Sequence, residues 1–382
     1  MARLLVGTLG CLGFWLNGLG PVLPLLQRDL HTSRGAVAAY PSMFAIGLVG
    51  IGLLAPSLAG PRRRHNAFVL ALLSMAGGAA VLSSALGQGL SLLGALAMGI
   101  GAALIVALAP ALGTDARGDG ATGLLSRANA LASAAGLVAP LLLAGAIAVG
   151  VGWQTGYMVV PLLAVVVLLI ALRRRILPDA RPKPVRARPI ARPSPSAGGL
   201  PDARLWVSLL LSVSVEFCMV FWAASYLHES LRVRSAGATA LAGAFLAGMA
   251  LGRAAVAAIA RRTKTIEATI QLAVVVALSG FLLFWVSRSP WLAAVGLAGT
   301  GLGIALLYPI TVARYVGAAG GGSTHASARA ALASGCAIGI APFLLALISS
   351  AVGLHLAYLL VPALFLLLIV NTGQGAHPLA VT

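Results

Sequence analysis

Glu216 is the residue in this chain whose type and position most demand a chemical reason. It sits near the middle of an apolar run, Leu205 to Leu227, long enough to cross a bilayer. An ionised carboxylate at the centre of such a helix costs roughly 2.5–3.5 kcal/mol on insertion scales. The chain has only eight acidic residues, and the other seven fall in or beside the connections between apolar runs. Ser208, Ser212 and Glu216 step by four, so they form one polar stripe on an otherwise apolar helix. A carboxyl group held there can take up a proton and release it when water reaches it, which is the chemistry of proton coupling. A hydrogen-bonded acid that only fixes helix packing is the other reading of the same residue.

Arg253 is the basic residue inside a span and the natural partner for that acid. It lies eight residues before Arg261, or ~12 Å at 1.5 Å per residue, deep enough to need pairing and near enough to an end to snorkel. It reads as a switchable ion pair with Glu216, a clamp on an anionic solute, or a structural arginine at a gate. Arg127 and Arg329 occupy matching places near the starts of the fifth and eleventh spans, which suits a symmetric task such as bonding helix-end carbonyls. Asn17 is an amide at membrane depth, flanked by Phe14 and Trp15. With Phe217, Phe221, Trp222, Tyr226 and Tyr308, these residues suit an aromatic, weakly polar cavity for a small organic solute. His228, His325 and His355 flank spans as loop or interfacial residues, and no pair has metal-ligand spacing.

The elements that carry these residues follow from composition. Hydrophobic residues make up 60% of the chain and charged residues 9%, against about 25% charged in soluble domains. Twelve runs are long enough to span a bilayer: 4–26, 36–59, 67–86, 90–112, 122–148, 154–172, 205–227, 236–260, 266–286, 291–313, 326–350 and 354–371. The fold class is therefore an all-α polytopic membrane protein. The first run exceeds a signal-peptide core and counts as a helix. The net charge of +18 sits in short segments between spans rather than on a folded basic surface, so nucleic acid is not an expected partner. One set of connections carries most of the arginines, while the opposite set holds only Arg28, Arg34, Arg232, Arg234 and Arg288. By that asymmetry both termini face the cytoplasm. The scattered Cys11, Cys218 and Cys336 read as small buried thiols rather than a disulfide framework.

The segment 173–204, rich in arginine and proline, reads as an extended linker between six spans and six. Arg127 and Pro140 recur as Arg329 and Pro342. Gly152, Tyr157 and Pro161 recur as Gly353, Tyr358 and Pro362, and Gly94, Gly99 and Gly101 as Gly296, Gly301 and Gly303. A constant offset of 201–202 across three pairs of spans marks two copies of one six-helix unit. The domains read as 1–172, the linker 173–204, and 205–382.

Six plus six spans in parallel repeats around a basic linker resemble the major facilitator superfamily of secondary transporters. The stretch from Pro56 to Arg64 is similar to that family's cytoplasmic signature, with the basic end present and the aspartate absent. Gly248 to Arg253, followed by Arg261 and Arg262, is its counterpart in the second half. The fourth span has no arginine near Gly94–Gly101, and Ala139-Pro140 stands where drug-antiporter branches carry glycine–proline. The resemblance implies alternating access in an inner membrane, with the Glu216 stripe lining a central cavity. It also implies a monomer whose partners are a small-molecule substrate, protons and the lipid bilayer. A proton-coupled exporter of a drug or metabolite is the leading expectation. Proton-driven uptake of a sugar or organic acid, and a non-transporting scaffold or sensor on the same fold, stay open. No Walker motif, enzymatic constellation, metal site or cofactor is expected; Gly299-Thr300-Gly301-Leu302-Gly303 lies inside a span with no strand before it.

Overall fold

Backbone polar groups in lipid must be satisfied within the protein, and a helix does this within a single segment. The chain answers that constraint throughout. A computed structural model describes residues 2–58, 64–117, 121–173, 200–262, 265–318 and 324–373. Most of the 173–204 linker lies outside the described residues. So do the centre of the Pro56–Arg64 stretch and the side chains of Arg261 and Arg262.

The first six helices are α1 (Ala2–Asp29), α2 (Arg34–Leu58), α3 (Arg64–Ser84), α4 (Gln88–Arg117), α5 (Ala121–Ala148) and α6 (Trp153–Arg173). The later ones are α7 (Leu200–Glu229), α8 (Ser235–Arg262), α9 (Ile266–Val286), α10 (Pro290–Ala318), α11 (Thr324–Val352), α12 (Leu354–Ala357) and α13 (Leu360–Gly373). The described residues hold twelve candidate membrane spans, matching the twelve expected runs, and no strand. The last span is divided where its partner α6 is continuous. At the break the carbonyl of Tyr358 accepts from Val361 three residues on (2.9 Å), a tightened turn; Pro161 holds the place of Pro362 inside the unbroken α6, so the proline alone does not divide the span.

Two compact units are present: Met1–Ala191 with Arg234–Gly243, and Arg192–Val233 with Ala244–Thr382. Within the first, α1 packs on α5, α4 on α2 and α3, and α3 on α6. Within the second, α7 packs on α11, α9 on α10 and α9 on α13. The repeat therefore extends from sequence into packing.

Glycine drives the closest approaches. A methyl group on Gly78 would sit 2.7 Å from the carbonyl of Gly94, and one on Gly94 equally close to that of Gly78. In the other unit Gly280 and Gly296 stand in the same reciprocal relation at 2.8 Å. Any side chain at these four positions would push two backbones apart. Lipid offers no hydrophobic drive between helices, so such backbone contact is what holds them. The turns before the last span of each repeat also match, with Gly152 at φ 83° and Gly353 at φ 82°, a left-handed conformation that suits glycine. All three cysteines are free thiols.

Candidate functional site

Helix α8 carries Gly248 and Gly252 against the backbone of α10, where added side chains would strike the carbonyls of Ala298 and Leu302. That approach brings Arg253, the next residue, into the second unit's packed helices. There its Nη2 lies 3.6 Å from Oε1 of Glu216 on α7. The glutamate side chain is 14% exposed and the arginine 40%, so the carboxylate is the more enclosed partner. The arginine thus offsets part of the cost of holding an acid at this depth.

The rest of the polar stripe serves the same helix differently. Ser212 is buried and donates to the carbonyl of Ser208 (2.7 Å). Ser208 accepts from Asn371 Nδ2 of α13 (2.8 Å), which also reaches the carbonyl of Arg204 (2.7 Å). Glu216 alone of the three is paired through charge. Tyr308 on α10 stands within electrostatic reach of both Glu216 and Arg253 and near Ser334 of α11, whose hydroxyl donates to the carbonyl of Ala330 (3.1 Å). Three helices of one unit, α7, α8 and α10, thus bring polar groups together at the acid. Ser334 escaped the sequence reading because a serine among alanines near Arg329 carries no signal of its own.

The aromatic residues divide into two sets. Phe14, Trp15, Phe217, Phe221, Trp222 and Tyr226 are buried. Trp15 packs edge-on against Phe44 at 6.1 Å, and Trp222 donates from its indole to the carbonyl of Pro342 (3.0 Å). In this conformation those rings offer a solute almost no surface. Tyr308 is 37% exposed and Asn17 is half-buried. Phe217, just after Glu216, stacks at a tilt on Phe221 with centroids 5.4 Å apart. The Asn17 amide donates to the carbonyl of Gly13 (2.8 Å) and lies against Gly136 of α5. Arg127 and Arg329 are exposed, and the backbone carbonyl of Arg329 accepts from Trp206 (2.9 Å).

Two arrangements were not anticipated from sequence. At the C-terminal end of α1, Asp29 accepts from the indole of Trp153 (2.6 Å) and the amide of Gln154 (3.0 Å), and pairs with Arg28. In the second unit, His355 is not a simple loop residue: it stacks on Trp285 and meets the hydroxyl of Tyr226. Among the described residues no group of three metal-ligating side chains is gathered.

Twelve lipid-crossing helices, two repeats with matching internal packing, and a paired acid at membrane depth define a multi-pass membrane protein of transporter architecture. The family follows. The chain matches the Major Facilitator Superfamily over residues 4–323 and belongs to it. Similar solved structures include the nucleoside transporter NupG, at 13% identity and TM-score 0.73, covering 99% of this chain and 98% of that one. A bacterial homologue of the human lysosomal transporter Spinster, inward-facing and occupied, has 16% identity and TM-score 0.70 over 98% and 91% of the two chains. The transporter FucP, in its outward conformation, has 14% identity and TM-score 0.62 over 99% of each chain. These identities establish the shared fold. No curated protein sequence matches the chain.

Proposed function

We propose that this protein is a proton-coupled secondary transporter that exports a small, weakly polar organic solute, a drug or metabolite, by alternating access. Glu216 carries the proton. The observation that bears the reading is the 3.6 Å pair between Glu216 and Arg253 at membrane depth. A protonated glutamate would release Arg253, and an ionised one would recapture it, so proton uptake becomes a change in how α7 and α8 are held. Tyr308, an aromatic residue with exposed surface and within electrostatic reach of the acid, supports a solute that is partly hydrophobic. We assign the functional domains as 1–172 and 205–382, working as a monomer in the inner membrane with both termini cytoplasmic. The arginine asymmetry of the connections supports that orientation.

The greater exposure of Arg253 favours a second reading, in which its guanidinium clamps an organic anion during uptake by proton symport. Thermal-shift screening of metabolites and drugs on the purified protein separates the two, since a ligand of the folded state raises its apparent stability. Stabilisation by neutral or cationic aromatic compounds supports export of such a solute. Stabilisation by carboxylates that disappears in Arg253→Ala would replace it with the second reading.

A further inference from the structure

The end of α7 beyond Glu216 holds a second arrangement that the coupling site does not use. Tyr226, ten residues on, donates its hydroxyl hydrogen to the carbonyl of Trp285 on α9 (3.0 Å). The indole of Trp285 in turn donates to the backbone carbonyl of His355 on α12 (2.8 Å). The two rings lie almost parallel, 12° apart with centroids 4.5 Å apart. His355 Nδ1 stands 2.8 Å from the Tyr226 hydroxyl. Since that hydroxyl has spent its one hydrogen on Trp285, Nδ1–H must be the donor to it. That commitment leaves Nε2 as the nitrogen that takes up a proton.

The repeat makes the arrangement informative. Gln154 is the residue of the first half that corresponds to His355, at the offset of 201. It too reaches back to the first helix of its unit, through Asp29. One half thus closes this end with a carboxylate and an amide. The other closes it with an imidazole, the side chain that changes charge between about pH 5 and 8.

We propose that His355 is a proton-operated clasp that tightens the α7–α9–α12 contact of the second unit when the solution at that end acidifies. A positive ring on the face of Trp285 gains cation–π attraction and keeps its Nδ1–H bond to Tyr226. The neighbouring elements present few other charges. On α7 these are His228 and Glu229 in the last turn, with Tyr226 itself; beyond α9 there is Arg288. Tyr358 follows the short α12, and the last turn of α11 carries Ser349 and Ser350 without an ionisable side chain. The clasp acts on the helix that carries Glu216, yet it stands or falls independently of proton coupling there.

The test uses the full-length protein in detergent and in liposomes, with intrinsic tryptophan fluorescence and melting temperature followed from pH 8 to pH 5. A protonated imidazole stacked on an indole quenches it. The wild type should show a quench and a rise in melting temperature on acidification relative to His355→Asn, whose amide keeps the Nδ1-like donor but cannot titrate. Trp285→Phe should lose the same fraction of the quench. Identical pH profiles in wild type and His355→Asn would overturn the proposal. If His355→Asn does not fold, an unchanged quench in Trp285→Phe overturns it in the same way.

Discussion

Glu216 on α7 and Arg253 on α8 face each other across 3.6 Å, and the more enclosed of the two is the acid. Each member of such a pair is costly at this depth without the other. Arg253→Gln should therefore lower stability by about 1–2 kcal/mol, less than the 3–5 kcal/mol of a fully buried pair because the arginine is partly exposed. Adding Glu216→Gln should restore part of the loss. A double-mutant cycle in denaturant measures the coupling, and simple additivity of the two effects would show that the charges do not interact.

The reciprocal glycine contacts predict matched sensitivity in the two repeats. Gly78→Val and Gly280→Val should each destabilise by about 1–3 kcal/mol, the usual range for overpacking, through collision with Gly94 and Gly296. Gly77→Ala, with open space around the added methyl, should be neutral or gain up to about 1 kcal/mol from helix propensity. Melting temperatures of the three variants in detergent check this ranking directly.

Asp29 binds α1 to α6 through two side-chain donors. Asp29→Asn weakens both bonds and should cost about 1.5–3 kcal/mol, the range for hydrogen bonds to a charged group. Trp153→Phe should cost less, since it removes one donor and keeps the ring. Combining the two changes should cost less than their sum, as measured by chemical unfolding.

Glu267 and Arg314 form a closer ion pair, 3.0 Å, between the start of α9 and the end of α10. Glu267 keeps about a third of its side chain exposed while Arg314 is largely covered, so Glu267→Gln should cost about 1–2 kcal/mol, between an exposed and a buried pair. Raising salt to about 1 M, where the screening length falls to about 3 Å, should shrink the difference between wild type and variant. Unfolding at low and high salt reads it out.

Much of the fold was legible because lipid imposes a single currency, the length of an apolar run. The span expected at 266–286 coincides with α9, Ile266–Val286. The repeat was legible because Gly94 and Gly296 occupy positions where a side chain would separate two backbones. Glu216 stood out by its depth alone. What a run of letters does not carry is which distant residue completes a contact. Asp29 and Trp153 are 124 positions apart, and Tyr226 and His355 are 129 apart. His355 looked like an interfacial residue because its stacking partner arrives on another helix. Likewise Trp15 and Trp222 read as cavity aromatics, and their near-complete burial depends on neighbours from other helices.

The central claim is that Glu216 carries the coupled proton. The direct measurement is accumulation, in proteoliposomes under an imposed pH gradient, of a ligand first identified by its thermal stabilisation of the protein. The wild type should concentrate that ligand against its own gradient. Glu216→Gln, still stabilised by the ligand, should carry it only to equal concentrations on the two sides. Accumulation by Glu216→Gln to the wild-type level would contradict the account.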